Sequence, residues 1–188
     1  GVEGFSVGDN VMGFPGLGSP GRGSFASHAV IPAAVSLRKP EEMTFEQAST
    51  FGVGALTAAK CIMKLGLLPE GGAGMTVLVW GGSTSVGQFA VQLLHFAGYR
   101  VIATASPRHF DALRELGADV LINYRDEDVV EQVRAAAEGR LKYAIDTVGT
   151  ESATKAASAL SADEEGRAII TISGAPVPLP EGVTTENV

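Results

Sequence analysis

From residue 75 onward, short unbroken apolar runs alternate with stretches whose apolar residues recur at helical spacing. Val77-Leu78-Val79-Trp80, Val101-Ile102-Ala103 and Val120-Leu121-Ile122 are runs of the first kind. A run with no polar alternation predicts a strand buried on both faces, as in a parallel sheet covered by helices. The pattern predicts strands near 76–80, 100–105, 120–124, 143–148 and 168–173, and helices near 85–97, 107–116, 127–138 and 150–161. The repeating βα unit implies an α/β fold with a doubly wound parallel sheet.

The first 43 residues follow a different pattern. β-like pieces stand at 10–14 and 24–30, separated by Pro15-Gly16-Leu17-Gly18-Ser19-Pro20-Gly21-Arg22-Gly23, where proline and glycine exclude regular structure. This reads as part of an irregular β domain, too small to bury a core of its own. A linking helix is predicted over 44–65, with Thr44 as N-cap and Gln47 at the capping-box position. Gly52 and Gly54 predict a break in its middle. The domain division is therefore 1–43, 44–74, 75–175 and a tail of 176–188, with Pro176 to Pro180 read as a loop.

Composition narrows the class. The 188 residues are 45% apolar and 19% charged, which suits a globular chain with a core. Net charge is −7 with no clustered basic stripe, so neither nucleic acid nor an acidic membrane surface is an expected partner. No run of about 18 apolar residues appears, so no membrane span is expected, and these residues do not read as a basic, then apolar, then small-residue leader. The single cysteine, Cys61, gives no intrachain disulfide and fits a reducing, cytoplasmic setting.

The candidate chemistry sits in Gly81-Gly82-Ser83-Thr84-Ser85-Val86-Gly87, between the strand at 76–80 and the helix at 85–97. A glycine turn between strand and helix brings backbone N–H groups against a dinucleotide's pyrophosphate, whose charge the helix dipole favours. Read from Gly82, the glycine pattern has Thr84 in place of its middle glycine. The competing structural role is an ordinary turn capped by Ser83 or Ser85. An NAD site wants a carboxylate about 20 residues further on for the ribose 2′-hydroxyl. That position instead reads Ala105-Ser106-Pro107-Arg108-His109. A hydroxyl and a guanidinium match a 2′-phosphate, which predicts NADP(H). Ser106 as a plain helix cap with a solvated Arg108 is the alternative. Tyr124 either reaches the adenosine phosphate or packs under its loop, and Asp146 is expected to serve the fold.

Other chemistries lack their residues. His28, His95 and His109 have no partners at metal-ligand spacing, so no metal is predicted. There is no G-x-S-x-G nucleophile elbow. No lysine follows Tyr99, Tyr124 or Tyr143 by four positions, as a short-chain dehydrogenase would require. An S-adenosylmethionine methyltransferase would want an acid at the end of the second strand. Cys61 reads as a small core residue.

Several motifs in order carry a resemblance: Val7-Gly8-Asp9-Asn10-Val11, Ala55-Leu56-Thr57-Ala58-Ala59, the Gly81 to Gly87 turn, Ala103 to Arg108, Leu116-Gly117-Ala118-Asp119 and Asn123-Tyr124. Together they resemble the medium-chain dehydrogenase/reductases, specifically the zinc-free quinone-reductase and enoyl-reductase branch, and most of all the fungal trans-enoyl reductases. The resemblance implies a Rossmann-type domain with a partial GroES-like β segment before it, and a chain that is a fragment of the family's length. It implies NADPH contacts at Gly82, Ser83, Thr84, Ser85 and Val86, at Ser106, Pro107, Arg108 and His109, and at Tyr124. Thr171 and Ile172 would approach the nicotinamide. Ala48, Ser49, Thr50, Phe51, Gly52, Val53, Gly54 and Ala55 would line the substrate side. The implied activity is hydride transfer from NADPH to an activated C=C bond of a small enoyl, enone or quinone substrate. A non-catalytic NADPH-binding module is the alternative, and no catalytic residue is assigned. The implied protein partner is a second copy or a polyketide synthase.

Overall fold

The computed structural model describes residues 2–14, 16, 23–67, 69, 71–72, 74–174 and 176–188, with Asn187 described by its backbone alone. Most of the proline-glycine loop at 15–23 lies outside the described residues. The chain divides into two compact units, Gly1–Leu56 and Thr57–Val188.

In the first unit, β1 (Val11–Gly13) pairs antiparallel with β2 (Ser36–Arg38). The strand predicted at 24–30 does not form. Residues 24–28 are a run of bends, Phe25 is fully exposed, and the Ser27 hydroxyl bonds locally to the His28 ring. Short hydroxyl side chains offer the backbone local partners that compete with a ladder, and the true mate of β1 lies further on. The predicted capping box is present. Gln47 N–H donates to Thr44 Oγ1 at 3.2 Å, and Thr44 N–H donates to Gln47 Oε1 at 2.9 Å. It starts α1 (Phe45–Thr50). The break expected at the two glycines is a π-helical turn over Phe51–Ala55, after which α2 (Leu56–Lys64) continues. A Cβ on Gly52 would lie 2.9 Å from the Gly13 carbonyl oxygen, so close approach to β1 requires glycine there.

The second unit is a six-stranded parallel sheet. Its strands are β3 (Thr76–Trp80), β4 (Arg100–Ala105), β5 (Val120–Asn123), β6 (Leu141–Asp146), β7 (Arg167–Thr171) and β8 (Val183–Asn187), in spatial order β5-β4-β3-β6-β7-β8. The helices are α3 (Ser85–Phe96), α4 (Phe110–Glu115), α5 (Val129–Ala136) and α6 (Thr150–Ser158), with a 3₁₀ turn at Pro107–His109 ahead of α4. All five predicted strands and four predicted helices exist here, with ends shifted by a few residues. The tail is the correction. After the loop at 176–180, the β-branched run Val183-Thr184-Thr185 adds β8 parallel to β7, and Val183 is buried. Its strand content was masked by the prolines immediately before it.

Both sheet faces are covered. Val77 and Val79 face a core with Val91, Leu94, Val101 and Cys61. Leu78 and Trp80, one residue out of phase, face Ile102, Val133, Leu141 and Ile169. Burying each such side chain contributes about 1.5–3 kcal/mol. In this strand order neighbouring β3 and β6 are followed by connections that lead to opposite halves of the sheet. Their carboxyl ends therefore frame the crevice in which doubly wound sheets hold ligands.

Candidate functional site

A cleft of about 940 Å³ in the second unit opens at the carboxyl ends of β3, β4, β5 and β6. The glycine turn forms one wall. Gly81 has φ +84°, and a Cβ on Gly87 would sit 2.2 Å from the Gly81 carbonyl oxygen, so α3 packs directly on the turn that precedes it. The cap is neither Ser83 nor Ser85 but Thr84, whose Oγ1 accepts from Gly87 N–H at 2.9 Å. The same hydroxyl donates to Thr147 Oγ1 at 2.8 Å, and the Thr147 hydroxyl is shared by the carbonyls of Trp80 and Gly81, each at 2.9 Å. Thr84 thus replaces the glycine of the pattern because it caps α3 and ties the turn to the end of β6. The N–H groups of Ser83, Ser85 and Val86 find no acceptor among the described residues. Unsatisfied first-turn donors at the positive end of a helix favour an anion.

The second wall is the end of β4. Ser106 is nearly buried and caps nothing. Its Oγ accepts instead from Arg125 Nη1 at 3.0 Å. Arg108 lines the cleft, its Nε donating to His109 Nε2 at 3.0 Å. Tyr124 is partly exposed on the same cleft, and the Arg125 guanidinium lies 4.7 Å from its ring centre. Among the described residues neither arginine meets a carboxylate.

The third wall is the loop after β6, residues Val148 to Ser152. Buried Asp146 organises it. One carboxylate oxygen accepts from Ser152 Oγ at 2.6 Å, and the other accepts from Gly149 N–H at 3.1 Å and Thr171 Oγ1 at 3.3 Å. Burial pushes the Asp146 carboxyl above the usual aspartate range, against the pull of these bonds. Its place is that of the fold residue expected.

Of the residues singled out in the sequence, the cleft gathers Ser83, Thr84, Ser106, Arg108, His109 and Tyr124. Gly82, Ser85, Val86 and Pro107 stand in the same turns without lining it. Thr171 closes β7, fully buried and bonded to Asp146, and Ile172 packs against the α3-side core. Ala48 to Ala55 lie in α1 and the π turn of the first unit. Sequence reasoning missed Arg125 and the Val148 to Ser152 loop. The loop was reachable from the rule that ligands sit beyond strand carboxyl ends, whereas nothing in its residue types marks it. Among the described residues no group of three His, Cys, Asp or Glu is placed to hold a metal.

Strand order, glycine turn and the parallel sheet with its covering helices together define a domain of the Rossmann type. A profile of the zinc-binding dehydrogenases matches residues 85–184. The trans-enoyl reductase buaC of Petromyces alliaceus is 33% identical over 161 residues, 81% of this chain and 45% of that protein. An alcohol dehydrogenase superfamily protein from Novosphingobium aromaticivorans superposes with TM-score 0.85 at 27% identity, covering 99% of this chain and 56% of that one. The quinone oxidoreductase from Coxiella burnetii gives TM-score 0.77 at 29% identity, covering 92% and 51%. The chain belongs to the zinc-binding dehydrogenase family, within the medium-chain dehydrogenase/reductase superfamily. It spans about half the length of these relatives.

Proposed function

We propose that this chain is the cofactor-binding part of a zinc-independent, NADPH-dependent reductase of activated C=C bonds, taking an enoyl, enone or quinone substrate. The observation that carries the reading is the cleft itself: the glycine turn on one wall, with N–H groups of Ser83, Ser85 and Val86 at or beside it that find no acceptor among the described residues, two arginines that meet no carboxylate among the described residues on another, and no acid at the end of β4. Those residues fit a dinucleotide with an additional phosphate.

When bound, the dihydronicotinamide supplies a hydride to the β-carbon of the unsaturated carbonyl. The chain's own work is placement. The Gly82 to Val86 turn holds the diphosphate, and Ser106 to His109 with Tyr124 hold the adenosine end. Asp146 fixes the Val148 to Ser152 loop and, through Thr171, the end of β7 from which Thr171 and Ile172 face the nicotinamide. Ala48 to Ala55, in the first unit, are the residues that would meet the substrate. Holding reactants in register and excluding water account for most of what such a site contributes. On this reading the protein works in the cytoplasm, with a second copy or a polyketide synthase as partner.

NADPH is expected to raise the melting temperature of this chain more than NADH does, and equal shifts would remove the cofactor assignment. Turnover of a panel of enones and quinones, measured on this chain and on a longer form, tests the activity. A second reading is binding without turnover, and activity confined to the longer form would support it.

A further inference from the structure

We infer that Arg125, rather than Arg108, makes the cleft select a 2′-phosphorylated nucleotide, with Ser106 holding it in place. The inference rests on the NADPH reading above. Three cations border the cleft: Arg108, Arg125 and Lys155. Lys155 is spent on Glu151, one helical turn away, at 3.0 Å. Arg108 is itself exposed, and among the described residues its guanidinium bonds only to its sequence neighbour, His109.

Arg125 is held from two directions. Its Nη1 reaches from the turn after β5 to Ser106 at the end of β4, and its guanidinium is set against the Tyr124 ring. A guanidinium whose plane is already fixed gives up little side-chain freedom when it binds an oxyanion. Ser106 occupies the place where a carboxylate would read the ribose 2′-hydroxyl, so the fork it anchors stands where a 2′-phosphate arrives. One of the five N–H donors of Arg125 is used by Ser106, and the others find no acceptor among the described residues.

The surrounding charge raises the stake on this residue. Asp126 and Glu127 border the same cleft. Asp126 is held in its turn by Asn123 Nδ2 at 2.7 Å and Gln132 Nε2 at 3.1 Å, so it cannot move aside freely. Without Arg125, an incoming phosphate would face these carboxylates directly.

The test is the ratio of NADPH to NADH affinity, by calorimetric titration of the wild type, Arg125→Gln, Arg108→Gln and Ser106→Ala. Arg125→Gln is expected to lower the ratio about 10- to 100-fold, Ser106→Ala by less, and Arg108→Gln by under about threefold. Should Arg125→Gln fold poorly, phenylglyoxal modification of the wild type mapped by mass spectrometry replaces it. Arg125 should then be shielded by NADPH and by 2′,5′-ADP but not by NADH. A wild type with no preference for NADPH defeats the cofactor reading itself. A wild type that prefers NADPH, with the ratio lost in Arg108→Gln as much as or more than in Arg125→Gln, or with Arg125 unshielded, overturns only the assignment to Arg125.

Discussion

The two units use the same residue alphabet to different ends. In Thr57–Val188 every residue of β3 is buried, and its alternate side chains enter separate cores on the two sheet faces. In Gly1–Leu56 the buried apolar side chains among the described residues are Ala48 and Ala55, while Val7, Phe25, Val30, Val35, Leu37 and Phe45 are exposed. The second unit's hydrophobic pattern is answered by packing of strand against strand and helix against sheet. The first unit has two three-residue strands and one capped helix, held by polar devices such as the Thr44–Gln47 box and the Arg38–Asp9 pair at 2.7 Å. Apolar packing carries one unit, and hydrogen bonds with an ion pair carry the other.

Truncations separate the two most sharply. Leu78→Ala, in a fully buried position, is expected to cost about 2–5 kcal/mol. Leu37→Ala, at a residue more than half exposed, should cost under about 0.5 kcal/mol. Urea midpoints measure both, and comparable losses would break the contrast.

Alkali and acid provide the next test. Burial pushes the Cys61 thiol up to about 11 from an ordinary value near 9.0. Its folded pKa lies above the unfolded one, so its contribution is intact below about pH 9 and disappears as pH rises toward about 11, a loss of about 2–3 kcal/mol. Cys61→Ala should flatten the stability profile over that window. In the first unit the sign reverses. The Ser6 N–H, with help from Arg38, holds the solvated Asp9 carboxyl below its usual range. Its small contribution is therefore present at neutral pH and fades as pH falls through the depressed value. Asp9→Asn should remove that acid-side slope alone.

A further test concerns the turn that joins fold to site. Thr84→Ala removes the cap of α3 and the bond to Thr147, at a cost of about 0.5–2 kcal/mol, and Thr84→Ser should restore most of it. A loss confined to stability, with NADPH affinity unchanged, would separate the cap from the phosphate site.

Legibility in the sequence follows the same division. Strands buried on both faces announce themselves as unbroken apolar runs, so the order of elements from Thr76 to Thr171 was readable. The glycine turn was readable because Gly81 and Gly87 answer backbone demands that no other residue meets. The run at 24–30 was misread because its β-like composition lacks a mate, and β8 was missed because Pro176 to Pro180 disguised the strand behind them. Arg125 was invisible because its role depends on Ser106, 19 residues earlier in the chain and adjacent only once β4 and β5 pair.

The central claim is that a dinucleotide diphosphate rests at the amino end of α3, with its third phosphate between the ends of β4 and β5. A crystal structure of this chain grown with NADPH tests it most directly. The account predicts the diphosphate within hydrogen-bonding reach of the Ser85 and Val86 N–H groups and the 2′-phosphate beside Ser106 and Arg125. Nucleotide density anywhere else, with the α3 terminus left to solvent, would contradict it.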